Sequence, residues 1–521
     1  MANRDTAIAE TYWHDTMYDT VAVLGRGTGQ EGSADEPAKF KSYPGRAGYR
    51  LPQRLPRTLG TVGAALGADT ARRADLGDAA ELGTLLYYGY GLSRVDVGPV
   101  AGWPYHRTVP SARCFYPTEL YLVVGPDQQV PAGVYHYDQA HHRLVELRRG
   151  DHRGHLAAAT GRAGTDAPVL AVATSHFWKT AFRYRHYAYR LCSQEAGMVV
   201  GNLQMTAAAM GVPARVHYQF LDAAVDHLLG LPAGEERAMA VLAFGAPGSG
   251  GPGSGATDGP RWTGHVDDLV AALPAVHAPS RTVAADLSLA SSAYELDANS
   301  VLTDSADLVA RWPEPAPAPA ASEAGEVLSS ELVHALRSRH SGGTLFRPSG
   351  EPMPVEALTA VLTQAARPYV GDLGAAPHSA VYALAQRVDG LDPGAYRSER
   401  AALRHVDGLP EGRLDRQVIN GPAVVDLTST NAVAYVVTDR KLATDVLGNR
   451  GYRIANMDAG VVGQRLCVLA AAAGLAARPF NGYLTDAVQR LLHLEETATP
   501  MFQIAFGRRV PSAQYEMPIV F

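Results

Sequence analysis

The chain has 521 residues, with 46 Lys and Arg against 52 Asp and Glu, so its formal net charge is −6. This length predicts two to four domains, and the acidic balance argues against nucleic acid or an anionic membrane as a partner. Cys114, Cys192 and Cys467 lack CxxC or Cys/His spacing, which excludes a disulfide framework, predicts no metal site and is typical of a cytoplasmic protein. The longest uncharged apolar run, 466–477, is too short to span a membrane.

Helices and strands are mixed in the first part of the chain. A predicted helix is followed by a strand at 120–125, a second strand at 167–175, a long apolar helix, a short helix and a closing strand at 239–245. The elements do not follow strict βαβ alternation. The predicted fold class is therefore α+β, with a largely antiparallel sheet.

Two stretches interrupt this pattern. Residues 246–260 are almost all Gly, Pro, Ser and Ala, and residues 313–326 are rich in Pro and Ala, so both are predicted to be linkers. The predicted division is a first domain at 1–245, a linker and connector at 246–326, and a second domain at 327–521.

The two blocks repeat each other. Three correspondences share an offset of 263: Tyr189-Arg190 with Tyr452-Arg453, Gly197 with Gly460, and Gly211 with Gly474. Their common order predicts duplication of one domain, and the alternative is chance resemblance between Ala- and Gly-rich helices. In both copies small residues sit among apolar ones in the long helix, which is expected where two helices meet closely in a pseudo-dimer core.

Several of these segments carry a family resemblance. RTVPSARCFYPTELYLVV at 107–124, AGVYHYD at 132–138, the YR and AG pairs at 189–197, and the closing AFG together resemble the nitroreductase fold. More narrowly, they resemble SagB-type azoline oxidases, the FMN-dependent dehydrogenases of thiazole- and oxazole-containing peptides. The resemblance spans both halves and implies tandem duplicated domains that form an intrachain pseudo-dimer, with FMN at their interface.

The phosphate of FMN requires guanidinium groups, hydroxyls and free backbone N–H groups. Arg339 and Ser341 stand where the family has its Arg-x-Ser phosphate element, and Arg508 and Arg509 match the place of a closing cationic contact. The first-half counterpart of the Arg-x-Ser element, residues 64–66, has only apolar side chains. The second half is therefore the predicted source of the phosphate contacts.

The first half carries the complementary element. The family places a Pro-Ser element against the flavin ring from the partner domain, and the matching residues here are Pro110, Ser111, Ala112 and Arg113. The loop whose N–H faces flavin N5 needs a small residue, and the second half offers one in Asn481-Gly482. These complementary losses predict one flavin site per chain and a dead mirror site.

Azoline oxidation also needs a base that removes a carbon-bound proton. The family has a Lys-Tyr pair shortly before the long helix, and this chain has Arg183 and Tyr184. Arg cannot act as a base, so Tyr184 is the predicted base, with Arg183 lowering its pKa. Lys179 is the alternative base. The other interpretation of this segment is a Tyr- and Arg-rich scaffold with cation–π stacking.

The resemblance predicts an FMN-dependent dehydrogenase that oxidises thiazoline or oxazoline rings to azoles in a ribosomally synthesised peptide. Its expected partners are the peptide substrate and a cyclodehydratase complex, and the chain is expected as a monomeric pseudo-dimer or a homodimer. Two alternatives stay open. One is an NAD(P)H-dependent flavin reductase of nitro or activated alkene substrates, and the other is a flavin-free pseudo-enzyme that scaffolds a peptide-modifying complex.

Overall fold

The computed structural model describes residues 2–25, 36–67, 70, 72–97, 103–245, 260–276, 287–308, 310–313, 325–399, 401–419, 421, 423–510 and 515–519. The predicted linkers at 246–260 and 313–326 fall almost entirely outside these residues. The domain boundaries drawn from them therefore stay a prediction.

The first half forms a seven-stranded sheet whose neighbouring strands are all antiparallel, in the order β1-β6-β5-β4-β7-β9-β8. Strands β4 and β7 are buried at every position, because helices cover both faces of the sheet. The strands of this half are β1 Gly48–Arg50, β2 Leu92–Val97, β3 Tyr105–Arg107, β4 Thr118–Val124, β5 Gly133–Asp138, β6 Arg143–Arg149, β7 Val169–His176, β8 Ala214–His217 and β9 Glu236–Phe244.

Ten α-helices lie before residue 300 among the described residues. The side chain of Asp78 starts one of them, α4, by accepting hydrogen bonds from the N–H groups of Ala80 and Glu81, as an N-cap does. The helices are α1 Ala7–Met17, α2 Thr20–Gly25, α3 Val62–Ala65, α4 Ala79–Tyr90, α5 Arg153–Ala159, α6 Trp178–Tyr184, α7 Ala188–Ala209, α8 Asp222–Leu229, α9 Val266–Ala271 and α10 Ser291–Ala298.

The second half repeats the arrangement with a six-stranded antiparallel sheet in the order β16-β15-β13-β17-β19-β18. Its helices are α11 Glu326–Ser329, α12 Leu332–Ser338, α13 Val355–Ala365, α14 Arg416–Ile419, α15 Arg440–Leu447, α16 Arg450–Ala472 and α17 Thr485–Leu491. Its strands are β10 Met353–Pro354, β11 Tyr369–Val370, β12 Ala375–Ala376, β13 Ala380–Ala385, β14 Val388–Asp389, β15 Gly394–Glu399, β16 Ala402–Gly408, β17 Ala432–Asp439, β18 Leu475–Phe480, β19 Ala498–Arg508 and β20 Tyr515–Pro518.

The long helices α7 and α16 cross at their glycines. A Cβ on Gly197 would lie 2.0 Å from the carbonyl oxygen of Met457, and a Cβ on Gly460 would lie 2.2 Å from that of Gln194. Each contact is the other one shifted by the 263-residue repeat offset, so the two helices meet about a pseudo-twofold axis. The predicted α+β class and the tandem duplicated pseudo-dimer are confirmed.

The two ends of the chain cross between the halves. The first helix, α1, packs on the second half, where the rings of Trp13 and Tyr452 lie 4.7 Å apart. At the other end, β20 pairs antiparallel with β2 of the first half. One hydrophobic core cluster includes residues of both halves, so the halves form a single packed unit.

Candidate functional site

Arg339 joins the two halves at the predicted cofactor site. It follows the last residue of α12, and its side chain is buried at 2% exposure. Its guanidinium donates to the carbonyl oxygens of Thr108 (3.0 Å) and Arg107 (3.4 Å) and to the hydroxyl of Ser341 (3.3 Å). The structure therefore brings the predicted phosphate element of the second half against the segment that leads into Pro110 of the first half.

The charge of Arg339 is not neutralised. Within the described ranges its acceptors are neutral oxygens and include no carboxylate. Burial lowers its pKa, and the charge of Arg94 lowers it further. Arg94 also donates to the main-chain oxygen of Arg339, at 3.0 Å. A buried cation of this kind is stabilised by an anion, so the residues present fit a phosphate group.

The loop that carries the predicted flavin wall is held in an unusual backbone conformation. Arg113, Cys114 and Tyr116 have φ angles of 51°, 60° and 50°, in the left-handed region that favours glycine. The hydroxyl of Ser111 accepts the backbone N–H of Tyr116 at 2.9 Å and hydrogen-bonds the buried carboxyl of Glu195, whose pKa burial raises. These contacts fix the position of Ser111.

A thiol and an imidazole, both missed by the sequence analysis, line the same loop. The Sγ atom of Cys114 lies 3.6 Å from Nδ1 of His106, and Nε2 of His106 lies 2.9 Å from Asp96. Burial raises the pKa of the Cys114 thiol to about 11, so at neutral pH it is a neutral thiol and a poor nucleophile.

The predicted N5 loop lies against α7 of the first half. The amide of Asn481 donates to Oε1 of Gln194 at 2.7 Å, while its own Oδ1 is buried without a donor. Gly482 accepts a hydrogen bond from Gln503 at 3.1 Å. The backbone N–H groups of Asn481 and Gly482 have no acceptor among the described residues, which leaves both available to a ligand.

Arg478 is a second cation that the sequence analysis missed. From β18 it donates to the carbonyl oxygens of Ser341 (3.2 Å), Gly343 (2.6 Å) and Thr344 (3.3 Å), and so it holds the loop after Arg339. Burial lowers the pKa of Arg478, and interactions with Cys114 and Tyr184 oppose that shift. Arg478 therefore connects this loop with the predicted base of the first half.

The three predicted catalytic residues occupy different surroundings along α6. Tyr184 is half-buried at the end of the helix, and its ring packs edge-on against Phe115, with centroids 6.3 Å apart. Arg183, beside it, is also half-buried. Lys179 is buried and donates to the Glu119 carboxylate (2.8 Å) and to two main-chain oxygens. All three protons of its ammonium group are engaged, and burial lowers the pKa of Lys179.

Arg508 and Arg509 form ion pairs away from Arg339 and Ser341. Arg508 lies 3.7 Å from the carboxylate of Glu351, and Arg509 lies 3.4 Å from that of Glu516 on β20. Both guanidinium groups are largely exposed. Their predicted role in phosphate binding receives no support from these contacts.

The symmetry-related mirror site is filled by its own side chains. The carboxylate of Asp372, the counterpart of Ser111, accepts the N–H groups of Tyr218 (3.0 Å) and Gln219 (2.8 Å). These two N–H groups correspond, at the repeat offset, to those of Asn481 and Gly482. A protein carboxylate thus lies where the intact site offers free N–H groups.

Residues Ala310 and Trp312 of the connector cover the mirror site. The side chain of Gln219 exchanges two hydrogen bonds with the backbone of Ala310, at 3.1 and 2.9 Å. The Trp312 ring stacks on His378 with centroids 4.8 Å apart, and the backbone N–H of Trp312 donates to the carbonyl oxygen of Leu373. The mirror site is therefore closed by hydrogen bonds and by stacked rings.

In the part of the chain that the structure describes, no group of three or more His, Cys, Asp or Glu residues is arranged to hold a metal ion. None of the described helices combines the length and apolar character that a bilayer crossing demands.

The comparisons with known proteins agree with this architecture. The model of the nitroreductase family matches residues 74–246 and 349–508. The trifolitoxin-processing protein TfxB of Rhizobium leguminosarum is 26% identical over 221 residues, covering 40% of this chain and 58% of that protein. A Methanocaldococcus jannaschii protein assigned to the nitroreductases is 30% identical over 108 residues, covering 20% of this chain and 54% of its own length.

A solved Anabaena variabilis protein assigned to the same group superposes with a TM-score of 0.68, at 21% identity, over 96% of this chain and 99% of its own. That likeness concerns the fold alone. The chain spans less than two thirds of the two curated relatives. The two matched regions of the family model contain all strands of the two sheets except β1, and the chain belongs to the nitroreductase family.

Proposed function

We propose that this chain is an FMN-dependent dehydrogenase that oxidises thiazoline or oxazoline rings to azoles in a ribosomally synthesised peptide. The observation that carries the proposal is the asymmetric site between the halves. Arg339 and the Asn481-Gly482 loop come from one half and Pro110-Ser111 from the other, while Asp372 fills the mirror site. A relative that is named as a trifolitoxin-processing protein supports a role in peptide maturation.

Different residues of the site would bind different parts of the cofactor. Arg339 and Ser341 would bind the phosphate, because they offer a buried positive charge and a hydroxyl. Pro110 and Ser111 would line the ring, and the free N–H groups of Asn481 and Gly482 would donate to it. When bound, FMN supplies the hydride acceptor that this oxidation needs.

Tyr184 would accept the carbon-bound proton at its phenolic oxygen. A phenol is a weak base at neutral pH, so the reaction needs a neighbouring positive charge that stabilises the phenolate. Arg183 precedes Tyr184 in the chain, and Arg478 interacts with it electrostatically.

The first test is the cofactor content and the reaction of the purified chain. We expect one FMN per chain and, with a thiazoline peptide in air, a product that has lost two hydrogens and absorbs as a thiazole. Tyr184→Phe should keep its FMN and lose on the order of a hundredfold in kcat. Tyr49→Phe, on edge strand β1, is the matched control.

Three results would contradict this function. A measurement of two tightly bound FMN molecules per chain would contradict the single asymmetric site. Rapid anaerobic reduction of bound FMN by NADPH, without azole formation, would favour the nitro or alkene reductase. A colourless chain that takes up no added FMN would favour the scaffold.

A further inference from the structure

Arg190 is a buried arginine of α7 whose hydrogen bonds all go to neutral oxygens. Only 1% of its side chain is exposed. Its guanidinium donates to the main-chain oxygens of Thr16 (2.6 Å) and Met501 (2.6 Å) and to the hydroxyl of Tyr483 (3.0 Å). In the part of the chain that the structure describes, no carboxylate forms an ion pair with it.

The charge of Arg190 lies next to the predicted N5 loop. Tyr483 follows that loop directly in the chain, and its ring centroid lies 6.0 Å from the guanidinium carbon. The oxygen of Met501 is shared with the side-chain amide of Gln194 (2.9 Å), and Gln194 in turn accepts the amide of Asn481. Arg190 therefore contacts the loop on one side and is linked to it by hydrogen bonds on the other.

The equivalent arginine of the mirror site faces carboxylates. Arg453 is the counterpart of Arg190 at the repeat offset, and it too is buried, at 1% exposure. It donates to the main-chain oxygen of Ala238 (3.5 Å), which corresponds to the acceptor at position 501. It also lies 3.2 Å from Asp222 and 3.9 Å from Asp297, and both carboxylates pair with other arginines as well.

A neutral residue replaces one of these carboxylates at the intact site. Thr485 is the counterpart of Asp222, and each is the first residue of its helix, α17 or α8. The hydroxyl of Thr485 donates to the main-chain oxygen of Met17, the neighbour of the Thr16 oxygen that accepts Arg190. The same place thus holds a carboxylate beside one arginine and a hydroxyl beside the other.

This difference matters for a cofactor that changes its charge. When FMN accepts a hydride it takes up two electrons and one proton, so it gains one negative charge. A cation beside the cofactor stabilises this added charge, and burial keeps solvent ions from screening the interaction. An arginine that is already paired with carboxylates would have a much smaller effect.

We propose that the uncompensated charge of Arg190 stabilises the reduced form of bound FMN and so makes the cofactor a stronger oxidant of the peptide ring. In that reaction the ring loses a hydride to FMN and a proton to Tyr184, and two bonds to hydrogen are replaced by one new double bond. The inference rests on the proposed function, because it requires FMN at the intact site, and it assigns to Arg190 the control of the midpoint potential.

The test gives the intact site the carboxylate of the mirror site. Thr485→Asp should fold, because a carboxylate is favourable in the first turn of a helix, and the neighbouring Arg190 keeps it ionised. We expect the midpoint potential of bound FMN to fall by about 30 mV, a tenfold change in the equilibrium of a two-electron couple. Slow anaerobic reduction of FMN-loaded protein together with a reference dye measures this potential.

Thr485→Asn is the matched control, because it has the shape of the Asp variant without its charge. It should change the equilibrium between oxidised and reduced FMN less than about twofold.

Substitutions of the arginine itself provide a second measurement. Arg190→Gln removes the charge and should lower the potential by about as much as Thr485→Asp, whereas Arg190→Lys keeps the charge and should stay close to the parent. Arg453→Gln removes the equally buried arginine of the mirror site and should leave the potential of FMN unchanged.

Two results would overturn the inference. One is an equal shift in Thr485→Asp and Thr485→Asn, and the other is an unchanged potential in both Thr485→Asp and Arg190→Gln. Because the potential is measured without peptide, a parent protein that forms no azole would overturn the proposed function and leave this result standing.

Discussion

Arg339 places a guanidinium charge among neutral oxygens, and this makes it the residue on which cofactor affinity should depend most. Its hydrogen bonds to Arg107, Thr108 and Ser341 hold the group without cancelling its charge. A bound phosphate dianion would supply the negative charge that Arg339 lacks, and it would bind well because charge-assisted hydrogen bonds are stronger than neutral ones.

Arg339→Ala should therefore weaken FMN binding on the order of a hundredfold, the loss of about 3 kcal/mol expected for a hydrogen-bonded charge pair. Titration of apo-protein with FMN, followed by flavin fluorescence, measures this. Arg508→Ala is the control and should change the affinity less than about threefold, because Arg508 is exposed and faces Glu351. A larger effect for Arg508 than for Arg339 would refute the assignment of the phosphate site.

The role of Asp372 in the mirror site can be tested by a single substitution. Asp372→Ala removes the acceptor of two backbone N–H groups in a buried place, which should cost about 2 to 4 kcal/mol of unfolding free energy. The flavin content should stay at one per chain, because residues 64–66 offer no phosphate ligands. A variant that binds a second FMN would show that Asp372 alone closes the mirror site.

At the scale of elements, the crossing of α7 and α16 is a close backbone contact between the halves. Gly460→Val would push a branched side chain into the carbonyl oxygen of Gln194, which lies 2.2 Å from the position of a Cβ. We expect a loss of about 3 kcal/mol or more in unfolding free energy, measured by urea denaturation. Gly154→Ala on the exposed face of α5, where a Cβ meets nothing within 4 Å, should be neutral or stabilising.

The stability that Glu516 on strand β20 contributes should fall at acidic pH. Burial alone would raise the pKa of Glu516, but the hydrogen bond with His340 and the charges of Arg94 and Arg509 lower it to about 2. The depressed pKa contributes up to about 3 kcal/mol of stability above pH 5, and this is lost as the pH falls toward 2.

Glu516→Gln should remove that part of the pH dependence. Denaturation curves of both proteins at pH 7, 4 and 3 would measure the difference, which should shrink with the pH. A constant difference would mean that the pKa of Glu516 is not depressed in the folded protein.

The helices and the strands of both sheets follow from local patterns. Periodicity and composition are local properties, and they predicted the long small-residue helices, the repeat and strands at 120–125, 167–175 and 239–245. The structure places these strands at 118–124, 169–176 and 236–244. The pairing of β20 with β2 could not be predicted from the sequence. It joins residues more than 400 positions apart, and both strands are too short for their sequences to indicate a pairing partner.

The site was predictable to a similar degree. Arg339 and Ser341 could be proposed from the sequence because they lie two positions apart and match a family element. Arg478 was missed because its role depends on a contact with a loop about 135 positions away. His106 and Cys114 lie only eight positions apart, but no spacing motif in the sequence marks their contact. Lys179 was offered as a base from its spacing along a helix, and its contact with Glu119 on β4 became visible only in the folded chain.

For the whole molecule, the fusion of two copies matters more than either copy alone. The halves share one core, exchange their terminal segments and meet at reciprocal glycines. In an assembly of two identical subunits, every mutation arrives in both cavities at once, and a change that improves one must be tolerated in the other. Joining the two copies in one chain removes that restriction, because each site can then change independently of the other. One site could thus acquire a carboxylate and the other its arginines.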